Sequence, residues 1–308
     1  MLSKTIRILN FDDSVIKQRT LLSKYAHKVI DLTRLGPEAR FWINPKTKVL
    51  VEKEICHSDR NSITFLGSGD FHHISEILIS RFDEPISVID FDFHPDWDIL
   101  FPRLTCGSWV KEVLRRKNIM KAVLIGISSN DISNFHIQMG DINSLNDGRL
   151  EIYPYRHAPT RTLLKKISPN PAFRSKNGVI FSRIYWTSLE GQDLAVFFRK
   201  LLDRISTKKV YVSIDKDCLK SSYAATNWEE GKLSLKELLL MLRLIKQDKD
   251  IIGLDITGDY SDIIISNAVK RVISLLDHPW RITAKGMSGS AITALNEDTN
   301  LKILEHLF

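Results

Sequence analysis

The chain has 308 residues, with 44 Lys and Arg against 37 Asp and Glu, and hydrophobic residues make up 43% of it. This composition is ordinary for a globular protein, and no run of about 18 apolar residues predicts a transmembrane helix. The formal net charge of +7 comes from scattered basic residues and short runs such as Arg115-Arg116-Lys117. Scattered charge of this kind indicates a solvated basic surface, so no nucleic-acid or membrane partner is expected.

Strand-like apolar runs and amphipathic helical stretches alternate through most of the chain. The sequence predicts strands at Ser62–Gly67, Ile86–Asp92, Lys121–Ile127, Val179–Ile184, Lys209–Asp215 and Asp250–Ile256. It predicts helices at Ile74–Phe82, Trp109–Arg116, Leu194–Ile205, Leu235–Lys246 and Asp262–Leu276. Ser234 and Glu237 have the spacing of a capping box at the fourth helix. The alternation predicts an α/β fold of three layers (αβα) around a central, mainly parallel sheet.

The chain shows no linker-like break, and we predict a single domain over residues 1–308. The first 60 residues are the least regular and receive no assignment. Three widely spaced cysteines, Cys56, Cys106 and Cys218, leave one over from any disulfide pairing. This usage, with no signal-peptide core at the start, favours a reduced, cytoplasmic setting.

Two acidic clusters each follow a β-branched apolar run. The first is Asp92-Phe93-His94-Pro95-Asp96, and the second is Asp215-Lys216-Asp217. A third polar segment, Gly69-Asp70-Phe71-His72-His73, also follows a predicted strand. In open α/β sheets, ligands bind at the carboxyl ends of the strands. Crowded carboxylates repel each other unless a cation lies between them, and oxygen with imidazole ligands suits Mn²⁺ or a similar ion. The sequence therefore predicts a divalent-metal site.

The order Gly-Asp-x-His, Asp-x-His-x-Asp and Ser-x-Asp-x-Asp resembles the ureohydrolase family, which comprises arginases, agmatinases and their relatives. The resemblance extends from about Leu66 to Leu276, most of the chain. It implies an arginase-like α/β fold and two Mn²⁺ ions. It also implies hydrolysis of a guanidino compound to urea, by attack of a metal-bridging hydroxide on the guanidinium carbon.

The resemblance also implies metal-ligand roles. Asp92 and Asp215 would bridge both ions, His94 and Asp217 would complete one site, and Asp96 would complete the other with either His72 or His73. His72 is favoured, because only Phe71 then needs inserting after the Gly-Asp pair. Two aspartates in each cluster favour two metals over one.

Two positions depart from the family pattern. Cys106 stands where a proton-shuttling histidine is usual, and it is either a buried small hydrophobe or a weak proton donor. Gly258 stands where the family has the glutamate that holds the guanidinium. We predict that the neighbouring Asp259 supplies this carboxylate after a shift of one residue. The alternative is that Asp259 is an ordinary loop aspartate.

Three segments resemble a divergent branch of the family: Gly67–His73, Cys106–Trp109 and Thr226–Gly231. Some members of that branch are peptide arginases, which convert arginine residues of ribosomally made precursor peptides to ornithine and release urea. The implied partner is therefore an arginine-containing precursor peptide. The implied contacts are Asn130 and Asp131, in a run that lacks the arginine usual in arginases, together with Trp228 and Glu229.

Three other functions stay open at this stage. One is a small-molecule ureohydrolase, such as an agmatinase or a guanidino-acid hydrolase. Another is a single-metal deacylase, because deacetylases share a related fold and an Asp-x-His…Asp set. The last is a non-catalytic, metal-stabilised binding module. The chain is also compatible with a homo-oligomer.

Overall fold

A computed structural model describes residues 5–56, 60–99, 104–265, 267, 269–272 and 286–308. The strands, in chain order, are β1 (Ile6–Asn10), β2 (His27–Asp31), β3 (Trp42–Ile43), β4 (Ile63–Gly67), β5 (Ile86–Phe91), β6 (Leu104–Thr105), β7 (Ile119–Ile127), β8 (Leu150–Pro154), β9 (Thr160–Leu163), β10 (Phe173–Lys176), β11 (Phe181–Trp186), β12 (Lys209–Asp215) and β13 (Asp250–Thr257). The helices are α1 (Arg19–Lys24), α2 (Gly36–Ala39), α3 (Pro45–Ile55), α4 (Ile74–Ile79), α5 (Trp109–Leu114), α6 (Ile142–Asn146), α7 (Leu194–Arg204), α8 (Leu235–Asp248) and α9 (Gly289–Leu307).

Eight of these strands form one central sheet in the order β2-β1-β4-β13-β12-β5-β7-β8. Every neighbouring pair in this sheet is parallel. All residues of β4 and β5 are buried, as expected for strands covered by helices on both faces. The predicted α/β fold with a central parallel sheet is confirmed.

Two larger helix contacts lie against the sheet. One joins α4 and α5, and the other joins α7, α8, α9 and α1; α2 also contacts α3. In α8, Leu238, Met241, Leu242 and Ile245 are buried at helical spacing. The predicted capping box is present: the Ser234 side chain accepts from the Glu237 N–H, and the Glu237 carboxylate accepts from the Ser234 N–H.

Five predicted strands and four predicted helices lie where the sequence placed them, within a few residues at each end. The predicted strand Val179–Ile184 is observed as β11, but it lies outside the central sheet. It is the middle strand of a three-stranded antiparallel sheet in the order β10-β11-β9, which we call the β9–β11 sheet. The prediction missed β1, β2 and β8 of the central sheet, together with α3, α9 and the shorter elements. The predicted helix Asp262–Leu276 falls partly outside the described residues; within them, 261–265 is not helical and 269–272 is.

A remaining pair of short strands, β3 and β6, is antiparallel. Among the described residues, no helix combines the length and the apolar character that crossing a membrane requires.

Candidate metal centre and pocket

The strand order brings the polar segments together. Strands β13 and β12 lie between β4 and β5, although β4 and β5 are neighbours along the chain. The parallel strands end on the same side, so the segments that follow β4, β5 and β12 meet at one edge of the sheet. In open α/β sheets, ligands usually bind in a crevice at the carboxyl ends of the strands, at the point where the connections from neighbouring strands run to opposite sides of the sheet.

One group of potential ligands surrounds His72, which lies just before α4. Its Nδ1 is 3.2 Å from Asp92 Oδ2, 3.3 Å from Asp96 Oδ2 and 3.6 Å from Asp215 Oδ2. All four side chains are buried. Burial alone would lower the pKa of His72, but the Asp92 and Asp96 carboxylates raise this pKa well above its usual value.

A second group surrounds His94, and it shares Asp92 with the first. His94 Nδ1 lies 3.2 Å from Asp217 Oδ2 and 3.9 Å from Asp92 Oδ1. Asp92 therefore presents one carboxylate oxygen to each histidine. Ligand atoms of Asp92, His94 and Asp217 lie within 4.8 Å of one another, as do those of Asp92, His72 and Asp90.

The donor chemistry of this cluster fits two divalent ions. Burial and the nearby Asp217 raise the pKa of Asp215 well above its usual value. Burial and the nearby Asp96 raise the pKa of Asp92, and burial with Asp92 raises the pKa of Asp217 to about 6. Carboxylates forced together away from water are costly unless a cation lies between them. Carboxylate oxygens and imidazole nitrogens are donors that Mn²⁺ accepts.

Of the two adjacent histidines, only His72 lies in this cluster. His73 is buried outside the pocket, and burial and the nearby Lys270 lower its pKa to about 3. His73 is therefore neutral at physiological pH. The geometry favours His72 over His73 as a metal ligand.

This placement predicts different outcomes for the two histidines. His72→Asn should reduce bound Mn²⁺ to about one ion per chain, because it removes the imidazole of one group. His73→Leu should leave the metal content unchanged, since that ring does not reach the carboxylates. Elemental analysis of both purified variants measures the difference, and the reverse order would make His73 the ligand.

A hydrogen-bonded network behind His72 fixes its ring. Ser213 Oγ donates its proton to Asp255 Oδ1 at 2.7 Å. Ser213 Oγ can therefore only accept in its contact with His72 Nε2, at 2.8 Å. Tyr211 OH donates to the other oxygen of Asp255 at 2.7 Å. In a neutral ring this arrangement places the proton on Nε2 and turns the Nδ1 lone pair toward the carboxylates, as is common for metal-bound histidines.

Sequence reasoning missed this supporting layer. Ser213 precedes Asp215 by two residues and Asp90 precedes Asp92 by two, so each lies on the same side of its strand as the later aspartate. The sequence feature that could have revealed these residues is a polar side chain within an otherwise apolar strand. In the part of the chain that the structure describes, Asp90 accepts no hydrogen bond at either carboxylate oxygen, and burial and the nearby Asp92 raise its pKa well above its usual value. Trp109 belongs to the same layer, since its Nε1 donates to Asp96 Oδ2 at 2.7 Å.

The cluster forms the floor of a pocket of about 510 Å³. Its lining contains seven carboxylates and, among the described residues, no Lys or Arg: Asp92, Asp96, Asp98, Asp131, Asp215, Asp217 and Glu229. Burial and the nearby Asp131 raise the pKa of Asp98 to about 7. The pocket lining is thus rich in carboxyl groups although the whole chain is basic.

Several residues predicted to act at the site line this pocket. They are Cys106, Asn130, Asp131, Trp228 and Glu229. Trp228 Nε1 donates to Asp70 Oδ1 at 3.0 Å, and Asp70 is ion-paired with the buried Arg40. The indole also lies edge-on to His94, with ring centroids 5.4 Å apart.

Glu229 follows Trp228 in the sequence and contacts His94 from the more exposed side of the pocket. Its Oε2 is 3.4 Å from His94 Nε2. Burial by itself would lower the pKa of His94, but Asp217 and Glu229 raise this pKa well above its usual value. Glu229 is thus a partly exposed carboxylate beside the metal-binding groups.

The predicted role of Asp259 is wrong for this structure. Asp259 is absent from the pocket lining and is buried in an ion pair with Lys216, at 2.8 Å between Oδ1 and Nζ. Gln18 Nε2 also donates to it at 2.7 Å. Gly258 turns the chain with a φ of 85°, and a Cβ there would collide with Asp215 Oδ1. This turn carries Asp259 away from the pocket and leaves no room for a side chain at residue 258.

Comparison with known proteins agrees with this geometry. The model of the arginase family matches residues 68–258. An uncharacterized protein of Thermotoga maritima is 26% identical over 260 residues, which span 84% of this chain and 81% of that protein.

Solved structures share the fold at low sequence identity. Arginase of Entamoeba histolytica, solved with L-ornithine, aligns with a TM-score of 0.59 at 11% identity and covers 100% of this chain and 99% of its own. Formimidoylglutamase of Bacillus subtilis has a TM-score of 0.59 at 13% identity, with coverages of 100% and 88%. Proclavaminate amidino hydrolase of Streptomyces clavuligerus has a TM-score of 0.56 at 13% identity, with coverages of 98% and 90%. The family match extends over more than half of the chain, and the protein therefore belongs to the arginase family of metal-dependent amidinohydrolases.

Proposed function

We propose that the protein hydrolyses the guanidino group of arginine residues in a precursor peptide, yielding ornithine residues and urea. The observation that carries the proposal is the acidic pocket: beyond the four aspartates of the two ligand groups, its lining adds the carboxyl groups of Asp98, Asp131 and Glu229 and, among the described residues, no Lys or Arg. Such a pocket favours a cationic group, and a guanidinium stays charged at any physiological pH.

In this proposal Asp92 and Asp215 would be shared by both ions. His72 and Asp96 complete one site, and His94 and Asp217 complete the other. Two Mn²⁺ ions would supply Lewis acidity and lower the pKa of bound water, which makes a nucleophile available at neutral pH. The overall reaction adds water across the bond between the guanidinium carbon and Nε, so that urea leaves and the side chain becomes a primary amine.

Glu229 supplies the carboxylate that orients the guanidinium. A carboxylate and a guanidinium pair through two parallel hydrogen bonds, and Glu229 is the pocket carboxylate next to the Trp228 indole. That indole offers a flat face for stacking on a planar cation. Its hydrogen bond to Asp70 restricts its movement. This assignment replaces Asp259, whose carboxylate is paired elsewhere.

Glu229→Gln should lower kcat/KM for the guanidino substrate by about 10- to 100-fold, as expected when a charge-assisted hydrogen bond is lost. Its metal content should stay unchanged, because Glu229 lies outside both metal-ligand groups in the proposal. Glu230→Gln is the matched control, since Glu230 is exposed and does not line the pocket. Equal kinetics for the two variants would remove Glu229 from substrate binding.

The pocket favours a peptide over free arginine. The α-carboxylate of free arginine would need a positively charged partner, and no described lining residue is a Lys or Arg that could pair with it. A peptide bond carries no such charge. Agmatine also lacks a carboxylate, so a small-molecule agmatinase is the second candidate. A single-metal deacylase fits less well, because His72 and His94 define two separate ligand groups.

A substrate panel tests the proposal. Mn²⁺-loaded protein is incubated with free arginine, agmatine and synthetic peptides that carry one internal arginine, and urea and peptide mass are measured. We expect a mass loss of about 42 Da per modified arginine, the difference between arginine and ornithine, with stoichiometric urea. Rapid hydrolysis of agmatine or arginine with no change in any peptide would favour the small-molecule function.

We also propose that the reaction takes place in the cytoplasm. Cys56, Cys106 and Cys218 are free thiols, which is compatible with a reducing compartment.

A further inference from the structure

The β9–β11 sheet has one buried face and one exposed face. Residues alternate strictly between them along β9 and β11. The buried face carries Thr160, Thr162, Phe173, Ser182, Ile184 and Trp186. The exposed face, which we call the basic face, carries Arg161, Leu163, Arg174, Lys176, Phe181 and Arg183.

Three cations lie side by side on the basic face. Arg183 of β11 is directly opposite Lys176 of β10 and Arg161 of β9. Like charges at directly opposed positions destabilise a sheet. Among the described residues, none of the three makes an ion pair with a carboxylate, and the sequence from 152 to 189 has seven Lys and Arg and no Asp or Glu. This arrangement suits a bound anionic partner.

Apolar side chains lie beside the cations on the basic face. Leu163 and Phe181 form a directly opposed pair on the basic face and are about half exposed. Beyond them, Leu164 is 75% exposed and Val179 is 97% exposed. A nucleic-acid backbone would use the cations and leave these apolar groups in water. A peptide with acidic and apolar residues would contact both.

The basic face adjoins the active-site pocket through one loop. Asn130, Asp131 and His136 of this loop line the pocket. The same loop anchors β9, because Thr160 Oγ1 donates to Ile132 O at 2.6 Å and the Arg161 N–H donates to Asn134 Oδ1 at 2.7 Å. This loop therefore links the pocket to the edge strand that carries Arg161, and a peptide bound at both places would pass over it.

We propose that the basic face binds an acidic and apolar segment of the peptide substrate, separate in sequence from the arginine that enters the pocket. This inference rests on the proposed peptide arginase function and adds a second recognition site to it. Holding a distant segment raises the local concentration of the arginine at the pocket.

The test compares two triple variants with equal changes in net charge. The first is Arg161→Gln with Lys176→Gln and Arg183→Gln. The control is Arg199→Gln with Lys200→Gln and Lys236→Gln, which alters exposed cations of α7 and α8. The probe is a fluorescein-labelled 20-residue peptide with one arginine and an alternating Glu-Leu segment, and binding is followed by anisotropy. A Lys-Leu peptide and a 20-nucleotide single-stranded DNA are the comparison probes.

We expect the first variant to bind the Glu-Leu peptide about tenfold more weakly than the wild type, as three exposed charge pairs would give, and the control to match the wild type. Failure of the wild type to bind this peptide, or equal binding by all three proteins, would overturn the inference. Tighter binding of the DNA, lost in the first variant, would also overturn it and indicate nucleic acid. Binding needs no turnover, so absence of urea from the same peptide counts against the proposed function and not against the docking surface.

Discussion

Asp92→Asn and Asp215→Asn are each expected to abolish urea release and to weaken metal binding. Asp92 faces both histidine groups, at 3.2 Å from His72 Nδ1 and 3.9 Å from His94 Nδ1. Losing a residue that merely supports a metal ligand costs about 10- to 100-fold in affinity or activity, so losing a shared ligand should exceed about 100-fold. Urea assays and elemental analysis of each variant measure both effects.

A thermal melt separates this loss from misfolding. Without metal, Asp92→Asn should be no less stable than the wild type, because it removes one of several crowded negative charges. Mn²⁺ should raise the Tm of the wild type, since an ion that binds only the folded state stabilises it, and should raise that of Asp92→Asn much less. Asp203→Asn, at an exposed position of α7, is the control. A folded Asp92→Asn protein that loses its metal and keeps full activity would mean that the cluster is structural only.

Asp259→Asn is expected to reduce the free energy of unfolding by about 3–5 kcal/mol, the usual cost of removing one partner of a buried ion pair. Lys216 is 0% exposed and would be left as an unpaired buried charge. Burial already lowers the pKa of Lys216, and Asp259 opposes that shift. Urea denaturation of the metal-loaded protein measures the change. KM for the substrate should stay constant, because Asp259 does not line the pocket.

A double variant tests whether the unpaired Lys216 causes this loss of stability. Adding Lys216→Met to Asp259→Asn should recover most of the stability, because no buried charge remains and the asparagine oxygen can still accept from Gln18 Nε2. An unchanged stability of Asp259→Asn, together with a KM raised tenfold or more, would restore Asp259 to the substrate site.

The sequence predicted the centre of the fold well, and the reason is physical. Strands β4, β5 and β12 are apolar runs that become buried on both faces of a parallel sheet, so each is visible without its neighbours. Because parallel strands end at the same edge of a sheet, the polar residues after them were expected at one edge. The proximity of Asp92, His94 and Asp217 also depends on the pairing of β5 with β12, which the sequence did not predict.

Features that depend on distant partners were not predictable in this way. Strand β2 is mostly exposed at the edge of the sheet, and its five residues lack an apolar run. The direction of Asp259 depends on the turn at Gly258, where contact with Asp215 excludes a side chain. The hydrogen bond from Tyr211 to Asp255 joins residues that are 44 apart in the sequence, so the residues around either one do not predict it.

The two-ion centre is the claim on which the proposed chemistry depends, and anomalous diffraction from Mn²⁺-loaded crystals tests it most directly. We predict two anomalous peaks about 3.5–4 Å apart, as in other two-metal hydrolases. One peak should lie beside His72 and Asp96, the other beside His94 and Asp217, and Asp92 and Asp215 should reach both. A single peak, or none, at saturating Mn²⁺ would contradict the account.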